Sequence, residues 1–212
     1  GYIKELGVNP DDCLVIKMDS TFDPAKSPIY FMPCGSMSYK NIDNTLPKVC
    51  TIIDAILKSK QAEKGIIHTG NYKVAKYLYN NSKNKNRILF KATDEISNQN
   101  LINAHSRAKN SVLMSPSMTT GVDLKDDLSR FQVVIKLPFD SLADNRIKSK
   151  SDLDSKWYSI QMLKTLIQAC GRSTRSIDDY STTYILDSSF AYYFNKYKSF
   201  LPKDFVNRVK GI

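Results

Sequence analysis

The segment Gln132-Val-Val-Ile-Lys-Leu137 decides the fold, because Val133, Val134 and Ile135 form an uninterrupted β-branched run. Strands that are buried on both faces of a parallel sheet show such runs, whereas half-buried strands alternate between apolar and polar residues. Similar short runs recur on both sides of this segment. The predicted strands are residues 14–17, 29–32, 65–69, 87–90, 111–114, 132–137 and 182–186.

Amphipathic segments between these runs predict helices. Leu46, Val49 and Ile53, for example, recur at helical spacing and would share one face. Strands that alternate with helices indicate an α/β fold, with a mostly parallel, doubly wound sheet flanked by helices in one domain spanning 1–212. The polar stretch 140–154 predicts a long surface loop. The predicted helices are 45–58, 71–80, 155–169 and a terminal helix within 200–209.

The charge and the cysteine content of the chain exclude some classes of protein and favour others. The 212 residues include 31 Lys and Arg against 21 Asp and Glu, a formal charge of +10. This excess favours a polyanionic partner such as nucleic acid, although a solvated lysine-rich surface gives the same total. No apolar run approaches the ~20 residues of a membrane span and no apolar leader follows the N terminus, so we expect a cytoplasmic protein without membrane contact. The four scattered cysteines and two histidines exclude a zinc finger and indicate reduced thiols, and we expect no metal ligands.

Two segments resemble nucleotide-binding loops without completing them. Gly65-Ile-Ile-His-Thr-Gly70 has the glycine spacing of a phosphate-binding loop, but Asn71-Tyr72 stands where that loop requires Lys followed by Ser or Thr. Asp94-Glu95 is similar to the start of an acidic magnesium-binding box, but a third acidic or histidine member is missing. We therefore expect this chain alone to hydrolyse no nucleotide.

A third segment has the residues for phosphate chemistry, Gln168-Ala-Cys-Gly-Arg-Ser-Thr-Arg-Ser-Ile-Asp-Asp-Tyr180. Arg172 and Arg175 are three residues apart and Gln168 is four before Arg172, so on a helix the three side chains would share a face. Gly171 has no side chain, so the surface of another domain or protein could approach the arginines closely. Two guanidinium groups and an amide suit the charge on a transferred γ-phosphate. The alternative is a basic surface helix paired with the two aspartates that follow.

These segments together resemble the superfamily two DNA helicases of the XPD/DinG type. Residues 168–180 are similar to motif VI of that family, and 64–72 (Lys-Gly-Ile-Ile-His-Thr-Gly-Asn-Tyr) to motif IV. Residues 115–124 (Ser-Pro-Ser-Met-Thr-Thr-Gly-Val-Asp-Leu) are similar to motif V, with Thr120 where the family usually has Glu. The resemblance runs from about residue 20 to the C terminus. It implies a RecA-like three-layer sandwich, the C-terminal (second) motor domain of such a helicase.

The resemblance also implies an activity and partners. The full-length protein would be an ATP-dependent DNA helicase that moves 5′-to-3′ on single-stranded DNA. ATP and Mg²⁺ would be bound mainly by a first RecA-like domain of the same polypeptide, which in many members carries an iron–sulfur cluster. Neither that domain nor the cluster lies in this chain, so we expect an inactive fragment. The alternatives are a non-catalytic nucleic-acid-binding RecA-like module and a small-molecule-binding α/β domain.

Roles for individual residues follow from the same resemblance. Arg172 and Arg175 would be arginine fingers, and Gln168 would contact the γ-phosphate or the attacking water. Asp178 and Asp179 would orient these arginines. The expected ATP-binding residues are Gly121, Asp123 and Gly171, and Asp123 has the alternative role of a helix or turn cap. The expected DNA-binding residues are Thr69, Gly70, Asn71, Ser115, Ser117 and Thr119.

Three further predictions concern individual side chains. His68 is expected at the end of a strand rather than as a ligand. Tyr72 would either stack on a base or pack inward. Tyr192, Tyr193, Phe194 and Tyr197 are expected to belong mainly to the core, because aromatic residues at helical spacing are usually buried.

Overall fold

Seven parallel strands form one sheet in the computed structural model, which describes residues 7–14, 16, 20–91, 98–116, 126–171, 173, 174, 176 and 178–212. The strand order is β3-β4-β2-β5-β6-β1-β7, and every neighbouring pair is parallel. The strands are β1 (Ile29–Gly35), β2 (Gly65–His68), β3 (Ile88–Phe90), β4 (Val112–Ser115), β5 (Phe131–Val134), β6 (Thr182–Asp187) and β7 (Val209–Lys210).

Helices cover both faces of this sheet. Ile53 and Leu78 pack with Val133 on one face, whereas Leu166 packs with Val134 on the other. Neighbouring residues of a strand point to opposite faces, so the cores are separate and the fold is the predicted three-layer α/β sandwich. The helices are α1 (Ile42–Ser59), α2 (Tyr72–Asn81), α3 (Asn98–Arg107), α4 (Asn145–Leu153), α5 (Ser155–Cys170), α6 (Ser189–Tyr197) and α7 (Lys203–Arg208).

Six of the predicted strands are confirmed with small shifts in their ends, but the one at 14–17 is wrong. Leu14 and Ile16 lie outside any strand and are largely exposed, and residues 15 and 17 lie outside the described part of the chain. The short β7 pairs with β1 and was not predicted, because two residues carry no periodic pattern.

The predicted surface loop at 140–154 contains a helix. α4 begins after Asp144, whose carboxylate accepts a hydrogen bond of 2.9 Å from the amide of Arg146, which is a typical N-cap. None of its residues is buried, so the helix has no apolar stripe by which it could be predicted. Helices α3 and α6 were also not predicted, and the terminal helix α7 is shorter than expected.

None of the helices that the structure describes is both long and apolar enough to cross a membrane.

Candidate functional site

The sheet places those predicted DNA-binding residues that the structure describes at one edge, and the described ones predicted to bind ATP at the opposite edge. Because the strands are parallel, their carboxyl ends share one edge and their amino ends the other. Residues 69–71 and Ser115 are at the carboxyl edge, after β2 and at the end of β4. Gln168 and Gly171 are at the end of α5, which leads to the amino edge where β6 begins. Seven residues singled out above lie outside the described residues: Ser117, Thr119, Thr120, Gly121, Asp123, Arg172 and Arg175.

Thr69 joins the two loops at the carboxyl edge. Its amide donates to the carbonyl oxygen of Ser115 at 2.9 Å, and its hydroxyl lies 3.1 Å from that oxygen and 3.1 Å from the carbonyl oxygen of Asn71. The side chain is fully buried. The prediction that Thr69 contacts DNA is therefore corrected, because a buried hydroxyl bonded to the backbone instead fixes the loops that carry Asn71 and Ser115.

Gly70 and Asn71 shape the start of α2. Gly70 has a φ of +78°, and a Cβ atom there would lie 2.9 Å from the Cβ of Lys136, so both the backbone and the packing require glycine. The side-chain oxygen of Asn71 accepts a hydrogen bond of 2.9 Å from the amide of Val74 and caps the helix. The first turn of the helix thus has free amides beside an exposed glycine, an arrangement that suits a phosphate.

A groove with a volume of about 880 Å³ opens beside this helix start at the carboxyl edge. Tyr39, on its rim, is 93% exposed. His68 is buried at the end of β2, as predicted, and Tyr72 is exposed while its ring lies 6.4 Å from that of Phe90. The groove is lined by Tyr39, His68, Gly70, Pro116, Lys136, Leu137, Pro138, Phe139, Asp140, Ser141, Leu142, Tyr158 and Thr165.

At the amino edge, α5 ends at Cys170, close to the predicted end of this helix at residue 169. Gly171 is the C-cap, and Ser173 and Thr174 are not helical. The argument that Gln168, Arg172 and Arg175 share one helix face is therefore wrong, because the helix stops before the first arginine. Gln168 is exposed on the last turn of α5, so it can reach a ligand from the end of the helix.

The connection between α5 and β6, residues 171–181, is tied to the start of β5. The hydroxyl groups of Ser173 and Ser129 form a buried hydrogen bond of 2.8 Å. Further along, the guanidinium of Arg130 forms an ion pair with the carboxylate of Asp179 and donates to the carbonyl oxygen of Tyr180 at 3.1 Å. We call residues 171–181 the arginine loop.

Arg130 was missed by the sequence analysis, and it is a partner of one of the two aspartates. The carboxylate of Asp179 is 2% exposed and pairs with Arg130, while the expected contacts of the aspartates with Arg172 and Arg175 fall on residues outside the described part of the chain. Asp178 is exposed and lies 3.4 Å from the ammonium of Lys26. Burial lowers the pKa of Arg130, but its bonds to Asp127 and Asp179 outweigh burial and raise that pKa overall.

A buried histidine fixes the turn that precedes β5. The imidazole nitrogens of His105, in α3, lie 2.8 Å from the hydroxyl of Ser111 and 2.8 Å from the carbonyl oxygen of Leu128. A carbonyl can only accept, so Nε2 donates to Leu128 and Nδ1 accepts from Ser111 in the neutral ring. Burial lowers the pKa of His105 and keeps the ring neutral.

The aromatic residues of α6 are mostly part of the core, as expected. Phe194 and Tyr197 are buried and Tyr193 packs against the same cluster, whereas Tyr192 is 58% exposed. Asp94 and Glu95 lie outside the described residues. Among the residues that the structure does describe, no three His, Cys, Asp or Glu side chains come together as metal ligands, so none of them is assigned to Mg²⁺.

Known proteins share both the sequence pattern and the fold. Residues 55–208 match the family model of the helicase C-terminal domain. The chain is 26% identical over 90 residues to the regulator of telomere elongation helicase 1 homolog of Caenorhabditis elegans, covering 35% of this chain and 9% of that protein. It is 29% identical over 98 residues to the Fanconi anemia group J protein homolog of Gallus gallus, covering 41% of this chain and 8% of that protein. Both alignments thus span less than a tenth of the relative.

A solved structure shares the fold as well. The structure of S. tokodaii Xpd4 superimposes with a TM-score of 0.60 at 17% identity, covering 87% of this chain and 38% of that chain.

Proposed function

We propose, from the premise that this chain belongs to the helicase C-terminal domain family, that residues 1–212 are the second RecA-like motor domain of an ATP-dependent DNA helicase of the XPD/DinG type. The full-length protein would hydrolyse ATP with Mg²⁺ in the cleft between this domain and a first RecA-like domain, and would move along single-stranded DNA. The observation that carries the proposal is the arginine loop. It combines the motif VI pattern with an anchored position at the amino edge of the sheet.

The amino edge is proposed to face ATP. Arg172 and Arg175 would reach the γ-phosphate from this loop, and such arginine fingers contribute on the order of 10³–10⁵ in rate. Gln168 would contact the γ-phosphate or the attacking water from the exposed end of α5. A Cβ atom at Gly171 would have no neighbour nearer than 3.6 Å, so its exposed surface is open for the first motor domain to approach. Gly121 and Asp123 are proposed to complete the ATP site.

The carboxyl edge is proposed to carry DNA. The helix start formed by Gly70 and Asn71 would hold a backbone phosphate, and Ser115, Ser117 and Thr119 would add hydrogen bonds. The division into two edges supports this assignment, because a motor must hold nucleotide and DNA at separate sites whose states are coupled.

Replacement of Arg175 tests the ATP half of the proposal. In the two-domain polypeptide with single-stranded DNA, we expect Arg175→Ala to lower kcat for ATP hydrolysis on the order of 10³-fold or more. Arg146→Ala is the matched control, since Arg146 is exposed and bonded to Asp144 in α4, and should leave kcat within about twofold because surface pairs contribute little. Unchanged turnover in Arg175→Ala, with DNA binding intact, would contradict the assignment of Arg175 as an arginine finger.

Salt-dependent binding tests the DNA half. The chain 1–212 should bind a labelled oligothymidylate, and its affinity should fall steeply as salt rises, because phosphate contacts release counterions. The same preparation should show no ATP hydrolysis. Absence of oligonucleotide binding at low salt would contradict the DNA assignment and leave the ATP assignment standing.

A further inference from the structure

Arg130 occupies a rigid position in the sheet. It directly precedes β5, its amide donates to the carbonyl oxygen of Lys64 at 2.9 Å, and its carbonyl oxygen accepts from the amide of Thr182 at 3.1 Å. These bonds hold the backbone of Arg130 between the starts of β2 and β6. A side chain on such a support is fixed more accurately than one on a loop.

The guanidinium of Arg130 binds two separate segments at once. Its Nε and Nη2 atoms each lie 2.8 Å from the carboxylate of Asp127, in the turn Asp126–Leu128. Its Nη1 atom bonds to the carboxylate of Asp179 and to the carbonyl oxygen of Tyr180, and the group lies 4.3 Å from the centre of the Tyr180 ring. The planar fork of arginine makes this set of bonds, which the single ammonium of lysine cannot reproduce.

The neighbouring residue adds a second tie to the same loop. Ser129 bonds to Ser173, so residues 129 and 130 together hold the arginine loop near its beginning and near its end. Arg175 lies in the sequence between the two tied residues. The pair Arg130–Asp179 is also dry, with side chains 13% and 2% exposed, so solvent does not weaken it as it weakens a surface pair.

We propose that Arg130 is a positioning residue for ATP hydrolysis: it ties the arginine loop, through Asp179, to the end of the motif V segment, through Asp127, and so sets where the proposed arginine fingers reach. This inference rests on the proposed function. The turn Asp126–Leu128 closely follows the segment similar to motif V, and His105 fixes its last carbonyl. Arg130 thereby connects the arginine loop to the turn that follows the motif V segment.

A double-mutant cycle tests this role in the two-domain polypeptide. Arg130→Lys keeps the charge but not the fork, and misplacing reacting groups by about 1 Å costs about 100-fold in rate. We expect Arg130→Lys to lower kcat of DNA-stimulated ATP hydrolysis by about 10- to 100-fold while KM for ATP stays within about threefold. In a background with Arg175→Ala, the same change should lower kcat less than about twofold, because the group that Arg130 positions is then absent.

The possible outcomes distinguish a purely structural role of Arg130 from a positioning role. If Arg130→Lys lowers kcat by the same factor in both backgrounds, Arg130 does not act through Arg175 and the inference is overturned. If Arg175→Ala itself leaves kcat unchanged, the proposed function fails instead. If the Arg130→Lys variant unfolds below the assay temperature, Asp179→Asn takes its place in the double-mutant cycle. The same two changes in kcat are then expected, one in the wild-type background and one in the Arg175→Ala background. Arg146→Lys, in the exposed pair with Asp144, is the matched control and should change kcat in neither background.

Discussion

His105 and Leu128 are joined by a hydrogen bond of 2.8 Å between the imidazole Nε2 and the main-chain carbonyl oxygen. The bond connects α3 to the turn before β5, and in the neutral ring with its proton on Nε2 the other nitrogen, Nδ1, accepts from Ser111. Burial, with a smaller contribution from the charge of Lys64, lowers the pKa of His105 below its ordinary value of 6.5.

This lowered pKa predicts a loss of stability in mild acid. Near and below pH 6.5 the unfolded chain binds a proton at His105 that the folded chain does not, so the stabilisation is complete above pH 6.5 and falls as the pH falls, by at most about 1.4 kcal/mol per pH unit. Urea unfolding at pH 7.5 and pH 5.5 measures the effect. His105→Gln should lose less stability than the wild type between these values; equal losses would show that His105 contributes nothing to the pH dependence.

Alanine at Gly70 is expected to destabilise the domain. The left-handed backbone costs a residue with a Cβ atom about 1–2 kcal/mol, and crowding against Lys136 adds to this. Gly171→Ala is the control, because its φ is −88° and an added Cβ atom would lie 3.6 Å from the carbonyl oxygen of Ile167, an ordinary contact distance. Unfolding midpoints should fall for Gly70→Ala and change little for Gly171→Ala, and similar midpoints for the two variants would contradict the model of strain at Gly70.

Removal of the Thr69 hydroxyl is expected to weaken the link between the two loops. Thr69→Val keeps the shape and the amide bond to Ser115 but loses the hydroxyl bonds, at a cost of about 1 kcal/mol in the free energy of unfolding. Thr51→Val is the matched control, since its hydroxyl donates to the carbonyl oxygen of Pro47 on an exposed helix surface. An equal effect of the two substitutions would argue against a special role for Thr69.

The cysteines are expected to differ in reactivity. Burial raises the pKa of the Cys34 and Cys170 thiols to about 11 and also raises that of Cys50, whereas Cys13 is partly exposed. Only thiolates react, so at pH 8 a thiol reagent should label Cys13 quickly and the other three slowly until urea unfolds the chain. Peptide mapping of the labelled protein identifies the sites, and rapid labelling of Cys34 or Cys170 would be the contrary result.

Strands that are buried on both faces of the sheet could be predicted, because their sequences are continuous apolar runs such as Val133-Val134-Ile135. The fold was not predictable where packing lies on the surface or the element is short. α4 has no buried residue, and β7 has two residues. At Leu14 and Ile16 an apolar pair looked like a strand, yet no described strand includes either residue.

Only those parts of the candidate site that lie within short sequence motifs could be predicted. Thr69, Gly70, Asn71 and Ser115 do come together at one edge, because parallel strands align their ends. The partner of Asp179 was missed, because Arg130 is 49 residues away and the pair depends on β5 lying beside β6. The sequence also could not show that Thr69 is buried, since a hydroxyl after a strand looks the same whether it faces solvent or backbone.

The position of β1 between β6 and β7 has a consequence for how the domain assembles during synthesis. The ribosome makes β1 well before both of its neighbours, β6 and β7, which come from the other end of this domain. Arg208 completes this contact, donating to the carbonyl oxygen of Ser27 across 181 residues and to that of Cys170. Both edges of β1 therefore stay unpaired until β6 is made, and the second edge stays unpaired until translation passes Lys210. A chain that stalls before β6 exposes this strand to chaperones.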